Sequence, residues 1–176
     1  MRRGLLLNRD GVINVSRGYV GSRASFEFMP GLFPFLKATQ DHGFRLAILT
    51  NQSGVARGFY TEDDFTTLTA WMLDEFQQQG ITIDLVLGCY EHAEGYIPTY
   101  TRESYWRKPN PGMMLEAVQR LRLDPARSFF LGDKMRDMDA AAAGGIQHRV
   151  LLSQSATPSE GVVVVRNFDE ALTRVV

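Results

Sequence analysis

The sequence predicts an α/β fold of three layers: a Rossmann-like parallel sheet with helices on both faces and no large cap domain. Three observations predict it. Short apolar runs bounded by turn residues recur along the chain, as the buried strands of a parallel sheet do. Helical patterns fall between these runs, which implies right-handed crossovers. The length of 176 residues, of which 44% are hydrophobic, suits one domain over residues 1–176.

Six apolar runs predict the strands. Each is short enough for a strand and is bounded by residues that favour turns. In chain order the runs are Leu5–Leu7, Leu46–Leu49, Ile83–Leu87, Phe129–Leu131, Val150–Leu152 and Val162–Val165. The last of them is expected at an edge of the sheet.

Five segments between the strands predict helices. Pro30 and Gly43 flank the first segment and suit a helix start and a helix stop. The second segment opens on Thr61 as an N-cap and carries an apolar stripe at helical spacing. The segments are Gly31–Asp41, Thr61–Gln79, Gly112–Leu121, Met135–Ala143 and Phe168–Val175. The long irregular stretch Cys89–Asn110 is expected to be a functional loop.

The composition excludes several classes of partner. With 19 Lys+Arg against 20 Asp+Glu, the net charge of −1 predicts neither nucleic acid nor an anionic membrane as a partner. No apolar run reaches the roughly 18 residues of a transmembrane helix, and the N-terminal apolar run is too short for a signal peptide. The single cysteine excludes an internal disulfide and fits a reducing cytoplasm.

Polar residues interrupt the apolar pattern at four places. Each of them alone is also explained by a turn or a helix cap. Three of the four directly follow predicted strands, so together they predict one site at the carboxyl edge of the sheet. They are Asn8 with Asp10, Thr50-Asn51-Gln52-Ser53, Arg107-Lys108-Pro109, and Gly132-Asp133-Lys134 with Asp137.

These residue types suit phosphoryl transfer, which needs a nucleophile, a cation, and donors for the phosphate oxygens. Asp10 and Asp133 are hard oxygen ligands of the kind that Mg²⁺ prefers, and Asp137 is expected to support that site indirectly. The Thr50 hydroxyl and the Lys108 ammonium suit phosphate oxygens. Two further cations, Arg107 and Lys134, are interpreted either as phosphate ligands or as solvated surface charges.

The motifs resemble the haloacid dehalogenase (HAD) superfamily of aspartyl phosphatases, and within it the branch of heptose bisphosphate and histidinol-phosphate phosphatases. The specific stretches are TNQSGVARG from Thr50 and RKPNPGM from Arg107, and shorter matches are GYV from Gly18 and FEF from Phe26. The likeness spans nearly the whole chain, so it implies one phosphatase domain. It also implies a small phosphorylated sugar as the partner, and the chain is expected to be a monomer or a weak oligomer.

The resemblance implies a reaction in two steps. A carboxylate at position 8 would attack phosphorus, and Asp10 would protonate the leaving oxygen and then activate water. Mg²⁺ would be held by side chain 8, the Asp10 carbonyl and Asp133. Thr50 and Lys108 would hold the transferred group. Substrate binding would fall to Asn51, Gln52, Ser53, Arg107 and Lys134.

Position 8 departs from the family because it is Asn rather than Asp. An amide is a poor nucleophile, yet it keeps the shape of Asp and could offer its oxygen to Mg²⁺. The chain is therefore expected to bind phosphate with little or no turnover. Two explanations stay open: an engineered substitution that traps substrate, or a natural sugar-phosphate-binding protein without catalysis. With Asp at position 8, the expected reaction is removal of the C7 phosphate of heptose 1,7-bisphosphate, with histidinol phosphate as the alternative substrate.

The irregular loop also departs from the family. Relatives often carry a structural zinc there, on a Cys-x-His and a Cys-x-Cys pair, and four ligands are needed. This chain has Cys89, but Glu91 replaces the histidine, and Ser104 and Trp106 replace the cysteines. No zinc is expected. The loop would then be ordered by its aromatic residues, which are Tyr90, Tyr96, Tyr100, Tyr105 and Trp106.

Overall fold

The computed structural model describes residues 1–176 and contains six strands and five α-helices. The strands are β1 (Gly4–Leu7), β2 (Arg45–Asn51), β3 (Leu85–Cys89), β4 (Phe129–Gly132), β5 (His148–Leu152) and β6 (Val162–Val165). The helices are α1 (Leu32–Asp41), α2 (Glu62–Gln78), α3 (Gly112–Leu121), α4 (Met135–Ala143) and α5 (Phe168–Val175). The predicted fold class is confirmed, and α3, α4 and α5 have the predicted bounds.

The sheet has the order β3-β2-β1-β4-β5-β6, and every neighbouring pair is parallel. The chain moves outward from β1 to β2 and β3, then crosses back to place β4 on the other side of β1. The strand order therefore reverses beside β1. In open parallel sheets, ligands bind outside the carboxyl ends of the strands at such a reversal. The fold thus predicts a site where β1 and β4 end.

The residues of β1 alternate between two cores, which gives the three layers. Leu5 and Leu7 belong to a core of 23 buried residues that also contains apolar side chains of α1, α2 and α5. Leu6 belongs to a second core, of 16 buried residues, shared with α3 and α4. Successive side chains of a strand point to opposite faces, so a wholly apolar β1 has to be covered on both.

The predicted third strand is shifted in the structure. The sequence predicts Ile83–Leu87, whereas β3 runs from Leu85 to Cys89 and its pairing begins at Ala47 with Leu85. Asp84 explains the late start because its carboxylate accepts the backbone N–H of Leu46 at 3.0 Å. A side chain therefore takes the donor that a further strand residue would have needed.

The helix starts agree with the sequence except at α1. Gly31, predicted as the first helical residue, is instead the N-cap and has a left-handed φ of 81°. Thr61 is the N-cap of α2, as predicted. Its Oγ1 accepts from the Asp64 N–H at 3.0 Å, and the Asp64 carboxylate accepts from the Thr61 N–H at 2.9 Å. This reciprocal pair is a capping box. None of the helices combines the length and the apolar character that a membrane crossing requires.

We expect Thr61→Ala to lower the free energy of unfolding by about 1 kcal/mol, because an orphan N–H at the start of α2 loses its acceptor. Urea denaturation followed by circular dichroism measures this change. Thr66→Ala makes the same chemical change at an exposed position inside α2, and it should stay within about 0.5 kcal/mol of the parent. Equal losses in the two variants would contradict the capping role.

Candidate active site

The polar residues that follow β1, β2 and β4 meet in one pocket of about 370 Å³. Thr50 is the only predicted site residue outside its wall. It is fully buried, and its hydroxyl accepts from Gln52 Nε2 at 2.8 Å. The predicted residues that line the pocket are Asn8, Asp10, Asn51, Gln52, Ser53, Arg107, Lys108, Asp133, Lys134 and Asp137.

Asn8 directly follows β1 and is bonded through both ends of its amide. Its Nδ2 donates to the backbone carbonyl of Asp10 and to Oδ1 of Asp133, each at 2.9 Å. Its Oδ1 accepts from Lys108 Nζ at 2.8 Å. The sequence suggested that this oxygen is offered to Mg²⁺. The structure turns it to Lys108 instead, because an ammonium group can only donate hydrogen bonds.

The residues expected to hold Mg²⁺ therefore fit the ion only in part. The Asp10 carbonyl and the Asp133 carboxylate are oxygen donors of the kind that Mg²⁺ prefers. Burial raises the pKa of Asp133, and the hydrogen bond from Asn8 opposes that rise. At the third ligand position, however, Asn8 presents an N–H group. As the side chains lie, the set does not fit the ion.

Lys108 is wholly buried and uses its ammonium group on three different elements. Nζ donates to Asn8 Oδ1 and to the carbonyl of Leu49 in β2, and it pairs with Asp137 Oδ1 in α4, each at 2.8 Å. Burial lowers the pKa of Lys108, and the Asp137 carboxylate opposes that change. Two acceptors and one counter-charge thus surround the ammonium group, and a buried charge requires such pairing.

Asp137 links this ion pair to the start of α4. Its Oδ2 accepts the backbone N–H groups of Asp133 and Lys134, at 3.2 and 3.1 Å. An acidic residue in the first turn also suits the positive end of the helix. Gly132 is required here, because a Cβ on it would lie 2.5 Å from the Cβ of Asp137. The carboxylate therefore orients both Lys108 and the segment that carries Asp133.

Asp10 is held by donors from three directions. Arg9 Nη2 lies 3.0 Å from its Oδ1, Asn14 Nδ2 donates to the same oxygen at 2.9 Å, and Gln52 Nε2 donates to Oδ2 at 3.0 Å. Arg9 is itself buried and donates to the Val20 carbonyl at 2.6 Å. Charge-assisted bonds of this kind orient a carboxylate. Arg9 and Asn14 were not identified from the sequence, since a basic and an amide residue beside a turn carry no signal of burial.

Gln52 joins β2 to the glycine-rich turn that follows it. Besides donating to Asp10 and Thr50, it accepts a hydrogen bond from the Tyr60 hydroxyl. Burial raises the pKa of Tyr60. A Cβ on Gly54 would lie 2.3 Å from the Tyr60 ring, so the turn has to contain glycine there. In this arrangement Gln52 orients Asp10.

Asn51 is bonded to the backbone of Lys108 rather than left free. Its Oδ1 accepts the Lys108 N–H and its Nδ2 donates to the Lys108 carbonyl, both at 3.0 Å. Two hydrogen bonds between one amide and one residue fix the approach of the loop to β2. The side chain of Asn51 thereby places Lys108.

The pocket wall contains several cations, two of which have a buried nitrogen without a protein acceptor. Arg57 and Arg136 line it together with Arg107 and Lys134, but neither had been singled out as a site residue. Arg57 Nε and Arg107 Nη1 are buried without a protein acceptor. Burial lowers the pKa of Arg107, and the neighbouring Arg136 adds to the effect. Charges that repel one another in the free protein favour an anion between them.

Aromatic residues order only part of the irregular loop after β3, for which no zinc is expected. Tyr90 packs edge-on against Phe65 and Tyr100, with ring centroids 5.5 and 6.3 Å apart, and Trp106 Nε1 donates to the Gly88 carbonyl. Tyr96 and Tyr105, expected to pack in the same way, are exposed. No three His, Cys, Asp or Glu side chains cluster as metal ligands in the structure. The absence of zinc stays a prediction.

Comparison with known proteins places this architecture in a family. The HAD-hydrolase-like family model matches residues 105–170. The D-glycero-beta-D-manno-heptose-1,7-bisphosphate 7-phosphatase of Rhodopseudomonas palustris is 44% identical over 145 residues, which is 82% of this chain and 81% of that protein. The phosphatase of the same name from Vibrio cholerae is 44% identical over 148 residues, which is 84% of this chain and 80% of that protein.

Two solved structures have the same fold. A HAD-like phosphatase from Mesorhizobium loti superposes with a TM-score of 0.89 at 32% identity, covering 99% of this chain and 86% of its own. The D,D-heptose 1,7-bisphosphate phosphatase of B. bronchiseptica, complexed with magnesium and phosphate, gives a TM-score of 0.85 at 25% identity. That superposition covers 98% of this chain and 97% of the other.

The sheet order and the polar pocket where β1, β2 and β4 end define the class as an α/β protein with a ligand site at the carboxyl edge of a parallel sheet. The relatives that are 44% identical identify the family. The chain belongs to the HAD family of phosphatases.

We expect Lys108→Met to lower the free energy of unfolding by about 3–5 kcal/mol, because the change leaves the Asp137 carboxylate buried without a counter-charge. Urea denaturation measures the loss. The double variant Lys108→Met/Asp137→Asn removes both charges and keeps an acceptor at the start of α4, so it should recover part of the loss. If the free energy of unfolding of Lys108→Met lay within about 1 kcal/mol of that of the parent, the ion pair would not be important for stability.

Burial raises the pKa of the Cys89 thiol from 9.0 to about 11. In the unfolded chain the thiol ionises first, so its contribution to stability is complete below about pH 9 and is lost as the pH rises toward 11. We expect the unfolding midpoint of the parent to fall more steeply between pH 8.5 and 10.5 than that of Cys89→Ala, which lacks the group. Parallel slopes for the two proteins would contradict the raised pKa.

Proposed function

We propose that this pocket recognises the phosphate group of a small sugar phosphate, heptose 1,7-bisphosphate above all, and that Asn8 blocks its hydrolysis. The substrate class is supported by the two relatives that are 44% identical and are named for this reaction. The block is supported by one observation. The side chain at the end of β1 is an amide whose oxygen is already bonded to Lys108.

The charges of the pocket support binding of an anion. Its wall contains guanidinium and ammonium groups from the β2 turn, the long loop and the start of α4. Arg107 and Arg57 line the pocket, and each has one buried guanidinium nitrogen without a protein acceptor. A planar guanidinium suits two phosphate oxygens at once. Each opposing carboxylate accepts at least one hydrogen bond from a protein donor. The cations supporting phosphate recognition are Arg57, Arg107, Lys134 and Arg136.

Turnover by the aspartyl route needs a carboxylate at position 8. An amide oxygen carries no full negative charge and is a weak nucleophile, and here it also accepts a hydrogen bond from an ammonium group. Asp10, the expected acid–base group, is already oriented by Arg9, Asn14 and Gln52. Replacing one side chain should therefore be enough to restore the reaction.

We expect Asn8→Asp to release phosphate from heptose 1,7-bisphosphate in the presence of Mg²⁺ at least about 10³-fold faster than the parent chain, because the change supplies the missing nucleophile. Release of inorganic phosphate measures the rate. Histidinol phosphate is assayed beside it, and the preferred substrate identifies the branch of the family. Asn8→Asp/Asp10→Asn is the matched control, and loss of the acid–base group should lower the restored rate by about 10²–10⁴-fold.

Turnover of histidinol phosphate alone would overturn the assignment of the substrate. If Asn8→Asp hydrolysed neither compound while both proteins bound them, the catalytic part of the proposal would fail. A chain that binds sugar phosphates without hydrolysing them would then be the correct description.

A further inference from the structure

The Asn8 amide nitrogen contacts the two oxygens that are expected to hold the ion. It lies 2.9 Å from the Asp10 carbonyl oxygen and 2.9 Å from Asp133 Oδ1. Ligands of an octahedral Mg²⁺ lie about 2.1 Å from the ion, so neighbouring ligands are about 3.0 Å apart. The distances from the amide nitrogen to the two oxygens thus match the separation of neighbouring ligands, but the nitrogen is a donor rather than an acceptor.

Lys108 keeps the amide in this orientation. Its ammonium carries three protons and no lone pair. It donates to Asn8 Oδ1 and to the Leu49 carbonyl and forms an ion pair with Asp137, each at 2.8 Å. If the Asn8 amide turned over, its N–H₂ group would face the Lys108 ammonium. Its oxygen would face the Asp133 carboxylate and the Asp10 carbonyl. Each contact would then place a donor against a donor or an acceptor against an acceptor.

A carboxylate at position 8 would not have this conflict. One oxygen could accept from Lys108 while the other faced a cation together with Asp10 and Asp133. An amide has only one oxygen, so the Lys108 contact and a metal contact exclude each other. The exclusion follows from the donor inventory of an amide and not from the loss of one negative charge.

We propose that the Asn8 amide nitrogen holds the divalent-cation position of this chain closed, so that the pocket binds a phosphomonoester without a metal ion. The choice of anion rests on the proposed function, whereas the closed position does not. The charge that a cation would supply comes instead from side chains around the pocket. Arg57 and Arg107 have buried guanidinium N–H groups without protein acceptors, and Lys134 and Arg136 lie at the same wall.

The cation affinity of three proteins tests the closed position. Mn²⁺ binding, followed by electron paramagnetic resonance, is compared for the parent chain, Asn8→Ala and Asn8→Asp. Ala and Asn are both uncharged, so this pair separates the blocking N–H group from the effect of charge. We expect Asn8→Ala to bind Mn²⁺ at least threefold more tightly than the parent, because water can take the freed position. We expect Asn8→Asp to bind most tightly.

The opposite order overturns the proposal. If Asn8→Ala bound Mn²⁺ more weakly than the parent, the Asn8 oxygen would be a ligand. Equal affinities would show that the amide does not oppose the ion. A second readout uses the unaltered chain and does not depend on how the variants fold. The Asn8 side-chain N–H₂ signals in a ¹⁵N-correlated NMR spectrum, assigned by their absence from Asn8→Asp, should not shift on addition of millimolar Mg²⁺, and a saturable shift would count against the closed position.

The anion is tested with inorganic phosphate. Its dissociation constant for the parent chain, measured by calorimetry at constant ionic strength, should agree within twofold between EDTA and Mg²⁺. A tenfold tightening with Mg²⁺ would overturn binding without a metal. Failure of the proposed function is seen separately, as absence of hydrolysis by Asn8→Asp, and it leaves the Mn²⁺ comparison intact.

Discussion

The buried ammonium group of Lys108 is the constraint on which the rest of the site depends. A charge removed from water is tolerated when it is paired and hydrogen-bonded. Here Asn8 after β1 and Leu49 in β2 accept hydrogen bonds, and Asp137 in α4 supplies the counter-charge. Because one small group joins three elements, satisfying it also sets how the carboxyl ends of the strands and the start of α4 face one another.

The character of residue 8 follows from this constraint. Lys108 is a donor and requires an acceptor at residue 8. The Asp10 carbonyl and the Asp133 carboxylate, on the other side of residue 8, are acceptors and require either a donor or a cation between them. The Asn8 amide oxygen accepts from Lys108, and the amide nitrogen donates to Asp10 and Asp133. Both ends of the amide at position 8 are thus hydrogen-bonded to neighbouring groups. Because the pocket keeps its cations, the proposed anion recognition is separable from turnover.

Much of the fold could be predicted because local signals agree with the tertiary structure. Helices α3, α4 and α5 have the predicted bounds, and the Thr61 cap is visible as a short motif. The prediction failed where a distant contact competes with local pattern. The apolar residues at 83–87 suggest a strand there, but Asp84 bonds the N–H of Leu46, which is 38 residues away. Gly31 likewise serves as a cap because its left-handed backbone lies outside the helix.

The sequence by itself determined the order of strands and helices, the polar residues at the strand ends and the amide at position 8, because these depend on periodicity and residue type. Only the tertiary structure decided how those residues are used. It buries Thr50 behind Gln52, draws Arg57 and Arg136 into the pocket wall, and turns the Asn8 oxygen toward Lys108. That last contact joins residues 100 positions apart. The direction of an amide depends on the donors and acceptors around it, and these are assembled only when the chain folds.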